Sequence, residues 1–276
     1  MLKTRIITAL VLLAVLLPVL YSANPIAFAL VVTLFFGATI WETFRLFNPH
    51  SGRALLISVC WTAAFAYTFF FAGHANPLFW FALGVLIWLL RLVPSLQLGL
   101  PPLASTGNTM LSLTYAVAIV ACFAAIVTLF RHSPAYVLSV MVLVWIADIG
   151  AYCAGKAFGK RKLAPTISPG KSWEGAIGGA IAVLLIAVAS ILFGGPMLYD
   201  TFAVQLQARF GWIALIALLM VLAAASVIGD LFESQLKRRA GVKDSSRLLP
   251  GHGGVLDRID ALIPVLPLAA LIDTWL

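Results

Sequence analysis

GWIALIALLMVLAAASVIGDLFESQLKRR, residues 211–239, is the stretch that decides the fold of this chain. Residues 211–233 are apolar over enough length to cross a bilayer as a helix, which takes about 20 residues. The end of the stretch is polar: Asp230 and Glu233 lie three residues apart on one helix face, and the basic run 237–239 follows. The pattern predicts a membrane-spanning helix whose charged end is a candidate functional site.

The composition of the whole chain indicates the same class of protein. Of its 276 residues, 62% are hydrophobic and only 10% are charged, whereas a soluble domain carries about 25% charged residues. The sequence therefore predicts an all-α integral membrane protein. We expect about nine transmembrane helices, at roughly residues 5–22, 26–45, 54–73, 77–96, 109–130, 135–155, 175–194, 211–233 and 257–275.

These helices divide the chain into two predicted regions. Residues 1–133 form an N-terminal membrane region with about five helices. Residues 134–276 form a C-terminal catalytic membrane region with about four helices and two basic cytoplasmic loops. The last helix is the least regular, because it contains Pro264 and Pro267. We expect it to span the membrane nonetheless, since neighbouring helices can satisfy the backbone groups that proline frees.

The basic residues predict the orientation of the chain. Short cytoplasmic loops are enriched in Lys and Arg. With a cytoplasmic N-terminus and nine helices, only Arg131 and Arg209 of the 18 Lys and Arg residues fall on the outer side. We therefore expect the C-terminus outside and most basic charge in loops 156–171 and 237–258. The net charge of +8 is then explained by this asymmetry and by basic residues that bind a phosphate-bearing ligand. No nucleic acid is expected as a partner.

The first polar segment, residues 145–175, combines a carboxylate at membrane depth with basic residues. Asp148 lies inside the sixth apolar run, where an acidic side chain normally faces a bundle interior or an aqueous cavity. Basic side chains and the amides of a Ser-Pro-Gly turn suit a polyphosphate. Two alternatives stay open: Asp148 stabilises helix packing, and part of the basic charge serves only the topology. The basic residues are Lys156, Lys160, Arg161, Lys162 and Lys171.

The second polar segment, residues 228–260, contains two acidic pairs. Asp230 and Glu233 lie near the end of the eighth predicted helix. Asp257 and Asp260 have the same spacing at the start of the ninth. Four carboxylates at neighbouring helix ends repel one another unless a cation lies between them, and oxygen ligands favour Mg²⁺, with Mn²⁺ as an alternative. Acids at the start of the ninth helix also suit its N-terminus without any metal.

Acidic residues for a metal ion and basic residues for phosphate are together the requirements of phosphoryl or nucleotidyl transfer. Such reactions need in-line positioning and neutralisation of charge on the transferring phosphorus. A nucleophile that is already an anion needs no strong base. The two polar segments therefore predict an enzyme of this class.

The stretch SQLKRRAGVKDSSRLLPGHGGVLDRID, residues 234–260, resembles the signature of phosphatidate cytidylyltransferases, also called CDP-diacylglycerol synthases. The upstream sequences AYCAGKAFGK, residues 151–160, and ISPGKSWEG, residues 167–175, resemble the other polar segment of that family. The similarity extends from about residue 145 to the end of the chain. The N-terminal half is similar only in having short hydrophobic spans.

The resemblance implies that CTP and phosphatidic acid react to give CDP-diacylglycerol and pyrophosphate, with Mg²⁺ as cofactor. By resemblance the catalytic residues are Asp230, Lys237, Asp257 and Asp260, and the metal ligands are Asp148, Asp230, Asp257 and Asp260. The substrate-binding residues so implied are Lys156, Lys171, Ser172, Ser234, Arg238, Lys243, Ser246, His252 and Arg258. For His252, a hydrogen bond to phosphate and a cap on the turn are both open.

The resemblance also implies a location and partners. Short members of the family are similar to bacterial inner-membrane enzymes, and CTP requires an active site on the cytoplasmic side. The partners expected are the two substrates and the membrane lipid, with a homodimer as a further possibility.

Two other functions compete with this interpretation. A lipid-alcohol kinase of the dolichol or phytol kinase type uses a nucleotide at a similar membrane site, but the 234–260 signature argues against it. An ion-coupled transporter would place its acids near the midplane and show repeat symmetry between its halves. In this chain the acids gather toward one face and no repeat is found.

Overall fold

A computed structural model describes residues 2–22, 24–48, 52–72 and 76–276, without the side chains of residues 2–6 and 9. The described chain is mostly helical, with 79% of residues in helices. Its elements are α1 (Leu2–Tyr21), α2 (Pro25–Phe47), α3 (Ala54–Ala66), α4 (Pro77–Ile87), α5 (Val93–Leu98), α6 (Thr106–His132), α7 (Pro134–Phe158), β1 (Lys162–Ala164), β2 (Ser168–Ser172), α8 (Trp173–Phe193), α9 (Phe202–Arg239), α10 (Leu256–Ile259) and α11 (Leu262–Asp273). Short π-helical turns, Tyr67–Phe71 and Trp88–Leu92, follow α3 and α4, and a 3₁₀ turn, Gly195–Leu198, follows α8.

Seven helical stretches of the described chain are long and apolar enough to cross a membrane. They are α2, Ala54–Phe71, Pro77–Leu98, α6, α7, α8 and α9. The prediction of a mainly helical chain with several apolar spans is thereby confirmed. The described apolar part of α1, Leu10–Tyr21, and α11 are shorter than the other spans. At 1.5 Å per residue the 12 residues of α11 extend about 18 Å, less than the roughly 30 Å of a hydrocarbon core.

The predicted helix over residues 257–275 corresponds to two helical pieces, α10 and α11. Between them Asp260 and Ala261 keep helical backbone angles, with φ of −49° and −66°, and the amide of Asp260 still donates to the carbonyl of Leu256 at 2.9 Å. A proline in a helix clashes with the carbonyl four residues earlier and lacks the N–H for its hydrogen bond. Pro264 therefore leaves the carbonyl of Asp260 without its helical hydrogen bond, and this missing bond, not a departure from helical backbone angles, separates α10 from α11.

The all-α fold contains one short element that was not predicted, an antiparallel hairpin of β1 and β2 after α7. Lys162 pairs with Ser172 in this hairpin. The Ser172 hydroxyl then accepts a hydrogen bond from the amide of Gly175 at 3.1 Å and caps α8. Cap and hairpin together satisfy backbone groups where the chain turns between two apolar helices.

The hydrophobic core runs through both predicted regions of the chain. Helix α6 lies at its centre: 72% of the residues in its most apolar stretch are buried. It packs against α2, α4 and α11. Helices α7 and α8 pack against each other, and both contact α9. Helix α9 has one break in its backbone, at Gly211, whose φ of 79° suits glycine. The predicted eighth helix, 211–233, is therefore the part of α9 that starts at this break.

Candidate active site

A cavity of about 620 Å³ lies where the ends of several helices meet. Residues from α7, the β1–β2 hairpin, α8, α9 and the segment after α9 line it. The two polar segments that the sequence singled out thus share one cavity. The predicted site residues that line it are Asp148, Lys156, Lys171, Ser172, Asp230, Lys237, Asp257, Arg258 and Asp260.

Five predicted substrate-binding residues lie outside the lining of this cavity. The Ser234 hydroxyl donates a hydrogen bond to Oδ1 of Asp230 at 3.2 Å. The side chain of Arg238 donates to the carbonyl of Ile167 at 3.4 Å, near the hairpin. Lys243 is exposed. The other two, Ser246 and His252, lie in the segment between α9 and α10.

This segment, residues 240–256, folds back on itself and ends at the first residue of α10. The amide of His252 donates to the carbonyl of Leu249 at 2.8 Å, and Leu249 and Gly253 form an isolated antiparallel bridge. His252 is half-buried. Its ring Nδ1 is buried and has no hydrogen-bond partner among the described residues, so both alternatives for the His252 side chain stay open.

Asp257 is the residue around which the segment closes. Its Oδ1 lies 2.6 Å from Nζ of Lys237. Its Oδ2 accepts hydrogen bonds from the amide and the hydroxyl of Ser245 and from the amide of Gly254, each at 2.8 Å. Burial acts to raise the pKa of Asp257, but the hydrogen bond and charge of Lys237, with the two amides, outweigh burial and hold the pKa below its usual value. Asp257 is thus ionised and largely committed to partners in the protein.

Lys237 neutralises a second carboxylate besides Asp257. It also forms an ion pair with Glu233, whose side chain is fully buried. Glu233 does not line the cavity, whereas Asp230, on the preceding turn of α9, does. The expectation that four carboxylates require a divalent cation is therefore too simple, because a lysine already lies between two of them.

Lys171 connects the two polar segments. Its Nζ, carried by β2, lies 2.6 Å from Oδ2 of Asp230 on α9. Both side chains remain partly open to the cavity, with 25% and 31% of their surfaces exposed. This ion pair places a cation and an anion at the cavity surface, where a phosphate or a metal ion can compete for each.

The carboxylates of the cavity suit Mg²⁺ better than a metal ion whose ligands all come from the protein. Within the described residues no group of three or more His, Cys, Asp and Glu side chains is arranged to hold a metal ion by itself. Mg²⁺ usually needs only one or two carboxylates, together with waters and substrate phosphates. Asp148, Asp230 and Asp260 all line the cavity.

Sequence reasoning missed two acidic residues near the site. Asp244 lines the cavity, and Glu42 lies behind the 240–256 segment, fully buried. Glu42 belongs to α2, in the N-terminal region. A carboxylate within an apolar span is the signal that identified Asp148, and it applies equally to Glu42.

Comparison with known proteins agrees with the resemblance of the two polar segments. The model of the cytidylyltransferase family matches residues 3–275. A phosphatidate cytidylyltransferase of Haemophilus influenzae is 37% identical over 295 aligned positions, covering 97% of this chain and 96% of the relative. One of Pseudomonas aeruginosa is 39% identical, covering 98% of this chain and 96% of the relative. One of Staphylococcus aureus is 44% identical over 48% of this chain and 46% of the relative. The chain belongs to the cytidylyltransferase family.

Proposed function

We propose that this chain transfers the cytidylyl group of CTP to phosphatidic acid, which gives CDP-diacylglycerol and pyrophosphate. The observation that carries the proposal is the single cavity that both polar segments line. It combines lysine and arginine for phosphates with carboxylates for a metal ion. Relatives named phosphatidate cytidylyltransferase that match nearly the whole chain support the same reaction.

The chemistry requires positioning and charge neutralisation rather than a base. The phosphate of phosphatidic acid is an anion, and one of its oxygens forms the new bond to the α-phosphorus of CTP. The bond from that phosphorus to the β-phosphate bridge breaks, and pyrophosphate leaves with the electron pair. The cations for the two substrates are Lys156, Lys171 and Arg258, which line the cavity.

The proposed cofactor is Mg²⁺, with Mn²⁺ as a substitute. Asp148, Asp230 and Asp260 are the candidate ligands, of which one or two would hold the ion together with waters and substrate phosphates. Oδ1 of Asp257, which contacts Lys237, is a further candidate. When bound, the ion neutralises charge on the transferring phosphorus and on pyrophosphate. Asp230 would then exchange its contact with Lys171 for the metal, and the freed lysine would be available for phosphate.

We propose further that the site faces the cytoplasm. The bias of Lys and Arg toward one side supports this orientation, with the N-terminus inside. Nine transmembrane helices, a C-terminus outside and a homodimer remain predictions. The bacterial relatives favour the bacterial inner membrane as the location.

A labelled-substrate assay tests the reaction and distinguishes it from its nearest competitor. Purified protein in detergent is given phosphatidic acid and CTP labelled at either the α- or the γ-phosphate, with and without Mg²⁺. Cytidylyl transfer places the α-label in the lipid and requires the metal ion. In a parallel reaction with a long-chain lipid alcohol in place of phosphatidic acid, transfer of the γ-label to the alcohol would identify a kinase. No labelled lipid from either nucleotide would refute the proposal.

A further inference from the structure

The carboxylate of Glu42 is buried in a membrane-spanning helix, yet no cation lies beside it among the described residues. Its side chain is fully buried within α2. Four hydrogen-bond donors surround it instead, and all four come from residues 245–256, some 200 positions further along the chain. Because a buried polar group is costly without hydrogen bonds, these four donors are what accommodates the carboxylate.

The four donors form two pairs on the two arms of the 240–256 segment. From the first arm, the hydroxyls of Ser245 and Ser246 donate to Oε2 and Oε1 of Glu42. From the second arm, the amide of Val255 donates to Oε1 at 3.0 Å and the amide of Leu256 donates to Oε2 at 2.6 Å. One carboxylate thus joins the start of the segment to its end. An amide side chain in its place has one oxygen and one NH₂ group, so it could not accept from both pairs in this way.

Glu42 and Asp257 share one of these donors. The Ser245 hydroxyl lies 3.1 Å from Oε2 of Glu42 and 2.8 Å from Oδ2 of Asp257. Asp257 in turn pairs with Lys237 of α9. A continuous chain of polar contacts therefore runs from α2 in the N-terminal region to the cavity wall.

Close approach at Gly254 supports the same arrangement. A Cβ at this position would overlap Oγ of Ser245 and lie 2.5 Å from Oε1 of Glu42. The amide of Gly254 donates to Asp257 at 2.8 Å. The segment therefore folds over Glu42 with no room for a side chain, and the fit between them is tight.

We infer that Glu42 is a positioning residue of the active site: it holds the 240–256 segment so that Asp257 and Lys237 keep their places at the cavity. Glu42 does not line the cavity, so it acts on the reaction only through this segment. A displacement of about 1 Å at reacting groups can cost about 100-fold in rate. The kinetic part of this inference rests on the proposed function, whereas its structural part does not.

The test compares Glu42→Gln with Thr43→Val in the full chain, purified in detergent. Glutamine keeps the shape of Glu42 but replaces one acceptor oxygen by a donor, so one arm of the segment loses its partner. Thr43 is the matched control, because it is also fully buried in α2 and its hydroxyl has no hydrogen-bond partner among the described residues. Hydrogen–deuterium exchange of residues 245–256 and kcat for CDP-lipid formation are measured for both.

Glu42→Gln is expected to accelerate exchange at residues 245–256 at least tenfold while α6 keeps its protection. Its kcat should fall by about 100-fold, and Thr43→Val should match the unmodified chain in both. Unchanged exchange in the segment would overturn the inference. Faster exchange throughout the protein would also overturn it, since Glu42 would then serve folding alone. If exchange changes only in the segment but the unmodified chain makes no CDP-lipid, the positioning holds and the proposed function fails.

A second variant covers the case in which Glu42→Gln does not fold. Ser246→Ala removes one donor and leaves the Glu42 carboxylate intact. It should loosen the same residues to a smaller extent. An unfolded Glu42→Gln together with an unchanged segment in Ser246→Ala would assign Glu42 to folding and refute its role in positioning.

Discussion

The two walls of the cavity differ in how their charges are neutralised. The closed wall is Lys237 and Asp257, with the buried Glu233 behind them; the open wall is Asp148, Lys156 and Lys171. In the closed wall one lysine pairs with two carboxylates whose side chains are 0% and 4% exposed. In the open wall Asp148 and Lys156 are exposed, and Lys171 reaches across to an aspartate of α9. Charged side chains whose ion pairs are complete within the protein stabilise the fold. Charged side chains whose ion pairs are incomplete remain available to bind a ligand.

The largest effect expected from this difference is on stability, in Lys237→Met. Removing the lysine leaves two buried carboxylates without their cation, and breaking a buried pair in this way costs about 3–5 kcal/mol. Lys171→Met is the matched control, because its pair with Asp230 is more exposed and worth about 1 kcal/mol or less. The free energy of unfolding in detergent measures both. Equal losses in the two variants would remove the distinction between the walls.

The next effect is on activity without stability, in Asp148→Asn. Asp148 accepts no hydrogen bond from the described residues, so the amide should change the free energy of unfolding by less than about 0.5 kcal/mol. As a proposed metal ligand facing the cavity, it should lower kcat at least about 100-fold and raise the Mg²⁺ concentration for half-maximal activity. Asp200→Asn is the control, since Asp200 pairs with His132 and does not line the cavity. Normal metal dependence in Asp148→Asn would exclude Asp148 as a ligand.

Sequence alone predicted the open wall better than the closed one, for a physical reason. Asp148 is recognisable because a carboxylate in an apolar run is expensive wherever it lies. The choice between a lysine and a metal ion as the partner of Asp257 depends on distances, which i, i+3 spacing does not determine. The contact of Glu42 with residues 245–256 joins distant parts of the chain. Without coordinates the carboxylate can be noticed, but its partners cannot be named.

The helices show the same limit of local patterns. Apolar runs predicted the seven spans to within a few residues at most ends, because length and hydropathy are properties of one segment. The interruption of the helix at residues 257–275 was not predicted, because proline is tolerated in some membrane helices and ends others. Which outcome occurs depends on whether neighbours satisfy the freed carbonyls. Asp257 and Asp260, next to this interruption, both line the cavity.

The smallest effect expected is in Ser234→Ala, at the boundary between the two walls. The resemblance assigned Ser234 to substrate, but its hydroxyl donates to Oδ1 of Asp230 at 3.2 Å. A hydrogen bond to a carboxylate contributes about 1.5–3 kcal/mol, and because Asp230 is 31% exposed we expect the lower end of that range, so kcat/KM should fall about tenfold. If Ser234 orients Asp230, the loss should appear in the Mg²⁺ dependence while the KM for CTP stays unchanged. A higher KM for CTP at saturating Mg²⁺ would instead mean that Ser234 leaves Asp230 to contact the nucleotide, and the open wall would then extend onto α9.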